Sequence, residues 1–198
     1  MKHIITILFC VMQVINIQIM AQTQFPNREE KILALSTIWK ELHYNYAFPE
    51  KLYRANIDSL YLAYLPKIEQ ANNFYDYYRI LSSFMANFND AHTRIIADSR
   101  PDDHPAIIVQ NIGTNIIVKN IAKKWVNKIP LGSQILEVND IPISEYIKDS
   151  IYQYISASTN HWKYDKSITE LFYGRPQTSL KLTFRTPTGK EEHIKMIR

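Results

Sequence analysis

One cysteine and four glycines in 198 residues remove whole classes of chemistry before any motif is sought. The cysteine, Cys10, lies within the first 21 residues, so the remainder holds no thiol for catalysis, no disulfide and no Cys-ligated metal. Scarce glycine is equally restrictive. Gly113, Gly132, Gly174 and Gly189 form no Gly-x-Ser-x-Gly turn, and Gly132-Ser133 is the nearest approach to one. There the glycine more naturally serves a turn before a buried strand. His-x-x-x-His and Glu-x-x-His spacings are also missing. Asp98, Asp102, Asp103 and His104 therefore read as a solvated loop around Arg100-Pro101 rather than a metal set, and no cofactor is expected.

Charge of one sign is not concentrated. Against 19 acidic residues stand 23 basic ones, a formal net charge of +4, and only Lys123-Lys124 and Lys128 gather. A nucleic-acid partner needs a continuous basic stripe and is not expected. An apolar run of the roughly 20 residues needed to cross a bilayer is lacking too. The nearest is the amino terminus, where Lys2-His3 precede the apolar stretch Ile4 to Met12, and Gln13, Asn16 and Gln18 then break its continuation. Residues 1–21, ending at Ala21, read as an export signal. That predicts a periplasmic or extracellular protein with no stable membrane anchor.

What is present is apolar and aromatic. At 46% hydrophobic and 12% aromatic residues the chain can bury a sizeable core. Its 13 tyrosines fit helix faces, with an aromatic binding surface as the other reading. From Asn27, which stands in capping-box spacing with Glu30, the residues Ile32, Leu35, Trp39, Leu42 and Tyr46 predict a helix closed by Pro49. Asn56 caps a second, ending near Pro66, and Asn73 a third whose stripe is Phe74, Tyr77, Leu81, Phe84 and Phe88. Beyond Thr93 the period changes. Ile95-Ile96, Ile107 to Val109 and Ile116 to Val118 read as strands, and Asn139-Asp140 turns a tight hairpin after Ile135 to Val138. Ser144 caps a helix through Ile155, and Leu180, Leu182, Phe184 and Ile194, Met196 alternate around a Thr188-Gly189 turn. The expectation is an α+β chain: a three-helix unit over 22–93, then a small β module over 94–198 with one or two helices.

Chemistry gathers at Asp90-Ala91-His92-Thr93, between the third helix and the β-rich segment. There Asp90 could orient the His92 imidazole while Thr93 braces the turn, an arrangement suited to a general base. Asn89-Asp90 are equally ordinary turn formers, beside which a histidine need only bond local backbone. His161-Trp162 and Lys123-Lys124-Trp125 offer contact surfaces, or else a core plug and an exposed basic turn.

Two motifs together resemble a known family. Phe84-Met85-Ala86-Asn87-Phe88-Asn89-Asp90-Ala91-His92-Thr93 is similar to the Leu-x-Asp-Gly-His-Thr signature of the tail-specific, or C-terminal-processing, serine peptidases, especially their tricorn-like and retinoid-binding-like relatives. Gly132 to Ile143 resembles the Gly-Asp-x-Ile-x-x-Val-Asn-Gly-x-Pro-Val stretch of their PDZ-like module, with Ser133 and Asp140 in place of Asp and Gly. The resemblance implies a helical cap and a PDZ-like small β-barrel or sandwich, with His92 in a catalytic apparatus that Asp90 and Thr93 support. It also implies a Ser nucleophile on a Gly-rich turn, and these 198 residues contain none. The expectation is a substrate-handling amino-terminal part, inactive alone, with a separate catalytic half as one partner. The alternative is a non-catalytic peptide-binding or interaction module that takes a peptide or protein C-terminus. For the carboxylate loop of such a module, Gln110-Asn111-Ile112-Gly113 is the nearest stretch.

Overall fold

The computed structural model describes residues 24–97 and 99–198. Residues 1–21, read from the sequence as an export signal, and Asp98 lie outside the described residues. Helix α1 (Arg28–Asn45) begins on the expected capping box: Glu30 N–H donates to Asn27 Oδ1 at 2.9 Å, and Asn27 N–H returns a bond to Glu30 Oε2 at 2.8 Å. Pro49 does not merely close α1. It opens a short extra helix, α2 (Pro49–Ala55), at the position where its missing N–H costs nothing. Among the described residues the helical unit thus has four helices, with α3 (Ile57–Gln70) capped by Asn56 and α4 (Phe74–Ala86) capped by Asn73.

Helix α3 runs through Pro66 instead of ending there. Its last carbonyls have an unusual partner. Lys31, only 6% exposed, donates from Nζ to Glu69 O at 2.6 Å and Ala71 O at 2.7 Å, placing a cation at the negative end of the helix. With Tyr64 and Ile68 buried on either side of the proline, packing outweighs the one lost backbone bond. Leu35, Leu42, Leu52, Ile68, Leu81 and Phe84 converge on one helical core.

The second unit is a six-stranded antiparallel sheet: β1 (Ile107–Ile112), β2 (Asn115–Ile121), β3 (Gln134–Val138), β4 (Ile141–Pro142), β5 (Ser179–Arg185) and β6 (Glu191–Ile197). Its order is β1-β2-β3-β5-β6, with β4 folded back on β3. Asn139 and Asp140 both have positive φ (55° and 64°), the left-handed pair a two-residue hairpin requires. Ile95-Ile96 form no strand. Ile95 packs on the helical core and Ile96 is exposed, so the segment follows the helical unit instead of joining the sheet.

Helix α5 (Ile143–Tyr146) starts after Pro142, so Ser144 is not its cap. It continues as a π-helical turn over Ile147–Ile151 and a 3-10 turn over Tyr152–Tyr154, burying Ile147 and Ile151. His161-Trp162 lie on α6 (Asn160–Thr169), whose first turn is capped by Thr159. Ile147, Ile151, Ile168 and Leu171 pack against Ile116, Ile135, Leu182 and Phe184 in a second core.

Candidate functional site

Helix α4 ends at Ala86, and its last apolar anchor, Phe88, is 1% exposed against Phe84 and Tyr46. Asn89 then takes φ +50°, reversing the chain as Asn tolerates. Asp90 turns into the interior, 3% exposed, and becomes the acceptor around which the turn closes. Its Oδ2 receives the Thr93 hydroxyl at 2.5 Å and the Tyr46 hydroxyl at 3.0 Å, and its Oδ1 receives the His92 N–H at 3.2 Å. Lys51 Nζ donates to the Asn89 carbonyl at 3.1 Å, and Ala91 N–H reaches Ser158 Oγ of the β unit at 3.1 Å.

These contacts set the protonation of the turn. Burial works against charge on Asp90, but the Thr93, His92 and Tyr46 hydrogen bonds and the nearby Lys51 outweigh it and hold the carboxyl below its ordinary range. Burial pushes the Tyr46 phenol up to about 12; the Thr93 bond opposes that rise and the Asp90 charge adds to it.

The imidazole takes no part in this network. His92 is 96% exposed, and its Nδ1 lies 3.7 Å from Asp90 Oδ1, beyond hydrogen-bond reach. Asp90 and Thr93 therefore fix the backbone of the turn, and the ring projects from it into solvent. The three residues singled out in the sequence do come together, but Asp90 acts on the turn and not on the ring.

The other sequence candidates are dispersed. Gln110, Asn111 and Ile112 are residues of β1, paired with Ile117, Ile116 and Asn115, and Gly113 (φ +64°) turns the β1-β2 hairpin. The stretch is ladder and turn, not an open loop. Ser133 is fully buried and its hydroxyl donates to Pro130 O at 2.6 Å. Asp102 is buried too, held in a two-bond fork by Arg100, with Nε to Oδ1 at 2.8 Å and Nη2 to Oδ2 at 2.7 Å. Asp103 bridges to Gly174, and His104 Nδ1 lies 2.8 Å from Pro105 O, its ring against Tyr173. Among the described residues no group of three His, Cys, Asp or Glu is placed to hold a metal ion. None of their helices is long and apolar enough to cross a membrane. Lys124 and Lys128 lie over the Trp125 ring at 5.5 and 5.3 Å.

Sequence reading missed the cluster centred on Arg100. The guanidinium also donates to both Glu170 oxygens, at 3.1 and 2.6 Å, and its Cζ sits 4.0 Å from the centroid of the Tyr173 ring. Burial disfavours its charge, but the Asp102 and Glu170 bonds outweigh that and raise its pKa. Seventy residues separate Arg100 from Glu170, so no local pattern announces the pair.

A groove of about 250 Å³ lies between β1 and α6, walled by Ile107, Val109, Ile168 and Phe172. Strand β1 is an edge of the sheet, and Ile108 and Ile112 on it are exposed.

No protein-family model matches the chain, and no curated protein matches it. Solved structures do. Mature CPAF complexed with lactacystin superposes with a TM-score of 0.72 at 16% sequence identity, over 86% of this chain and 34% of that one. Mature CPAF gives 0.70 at 17% identity, with the same coverage. The photosystem II D1 C-terminal processing protease covers 85% of this chain at 12% identity, but its TM-score of 0.32 carries no argument. The chain thus shares the fold of part of CPAF, a helical unit followed by a β unit, and spans about a third of CPAF's length.

Proposed function

We propose that this chain is the substrate-handling part of an exported serine peptidase of the tail-specific type. His92 is its general base, Asp90 and Thr93 hold the turn that presents it, and the nucleophile comes from outside these 198 residues. The observation that carries this reading is the combination of a fully solvent-facing imidazole and a turn tied down by a buried carboxylate. A general base must meet both substrate and nucleophile, and the ring is open to both while its backbone is held in place. The shared fold with part of CPAF supports the reading, as does the Asp-Ala-His-Thr motif. The β unit is PDZ-like in this proposal, and residues 1–21 direct export to the periplasm or cell exterior.

The groove between β1 and α6 favours a second reading, a non-catalytic module that pairs an incoming peptide strand with the β1 edge. One experiment separates the two. The purified chain, incubated with fluorogenic peptides, hydrolyses none of them, because a base without a nucleophile forms no acyl-enzyme. Supplying the nucleophile-bearing partner restores turnover, and His92→Ala abolishes it. Serine-type turnover that survives His92→Ala contradicts the peptidase reading, while peptide binding with no turnover under any pairing leaves the module.

A further inference from the structure

A cleft of about 280 Å³ opens where α4 faces the 3-10 turn and α6. Arg79, Arg94, Arg100 and Lys166 line it, against one carboxylate among the described residues, that of Glu170. That carboxylate is already committed. Arg100 bonds both its oxygens, and Lys166 Nζ stands 3.6 Å away. Arg100 is committed in turn, since its remaining bonds go to buried Asp102. Arg79 and Arg94 have no carboxylate partner among the described residues.

Arg79 is also positioned. Its Cζ lies 3.3 Å from the centroid of the Tyr154 ring, a contact that orients the guanidinium, and its N–H donors have no hydrogen-bond partner among the described residues. Ser82 and Ser156 line the same cleft, and Ile95 and half-exposed Trp162 supply an apolar wall. Surplus positive charge in a partly enclosed space strengthens the field on an entering anion, and a guanidinium fork matches a carboxylate with two parallel bonds.

The geometry points to a carboxylate-binding site in this cleft, with Arg79 and Arg94 holding the anion and Trp162 covering the apolar group that bears it. The carboxylate is either an acidic side chain or the free end of a peptide. The site stands on the cleft alone, and it holds whether or not a nucleophile is supplied from elsewhere.

The test titrates the full chain with three otherwise identical acetylated hexapeptides, monitored by tryptophan fluorescence and heat of binding. One has an internal Glu and an amidated end, one an internal Gln and a free end, and one an internal Gln and an amidated end. Saturable binding of the first identifies a side-chain carboxylate, and of the second a chain terminus. The neutral peptide binds at least about tenfold more weakly, and Arg94→Gln, at an exposed position, weakens the acidic ligand about tenfold. Arg79→Lys, which keeps the charge over Tyr154 and loses the fork, weakens it as well. Equal binding of the neutral peptide, absence of binding by both acidic ones, or wild-type affinity in both variants overturns the proposal. Tighter binding of inorganic phosphate than of either peptide also overturns it.

Discussion

A buried carboxylate and an exposed imidazole two residues apart divide the work of the turn after α4. Asp90 accepts from two hydroxyls and one backbone N–H, so removing it strands three donors. Asp90→Ala is expected to lower unfolding free energy by about 2–4 kcal/mol, read from urea denaturation. Because its native carboxyl binds a proton less readily than the unfolded chain's, the stability it contributes is complete above pH ~4 and drains away as pH falls through the native value. Asp90→Asn should flatten that acid limb, whereas His92→Ala should leave the urea midpoint unmoved. At this scale the turn itself was legible, because Asn89, Asp90 and Thr93 carry their turn chemistry in their types. The Tyr46 hydroxyl that Asp90 also holds was not, since it is 44 positions away.

At the scale of elements, the caps were legible and the long-range ties were not. Asn27, Asn56 and Asn73 each announce a helix start through a side chain that accepts from the backbone N–H three residues on, a purely local signal. The end of α3 beyond Pro66 is tied down by Lys31, nearly forty positions upstream. Lys31→Met keeps the aliphatic stem but leaves the Glu69 and Ala71 carbonyls without their charged donor. It is expected to cost about 2–3 kcal/mol and to speed amide exchange near the end of α3. The loop before β1 is held on α6 by Arg100, and Arg100→Ala would leave Asp102 buried without its counter-charge. A loss of about 3–5 kcal/mol is expected, measured by urea denaturation. The π-helical turn at Ile147–Ile151 had no sequence signal either, since Ile147 and Ile151 also satisfy ordinary helical spacing.

At the scale of the whole molecule, composition and the change of period after Thr93 were enough to separate a helical from a β unit. What joins the units was invisible. Arg175 donates to both Asp76 oxygens at 2.7 and 2.9 Å across 99 positions, and Ala91 meets Ser158 across 67. The Arg175–Asp76 pair is partly exposed, so Arg175→Ala is expected to cost less than about 1 kcal/mol, and high salt should erase the difference. A larger, salt-insensitive loss would show that the two units lean on this contact far more than its exposure implies. The cleft and the His92 turn both lie along this junction, with Arg94 two residues beyond the imidazole.

The most direct test of the proposed peptide-handling role is a nuclear magnetic resonance titration of the chain with a peptide bearing one carboxylate. The account predicts saturable shifts at Ala91, His92, Thr93 and Arg94 together with Trp162, and none along β6. Shifts confined to other surfaces, with Ala91 to Arg94 unmoved at saturation, would contradict it.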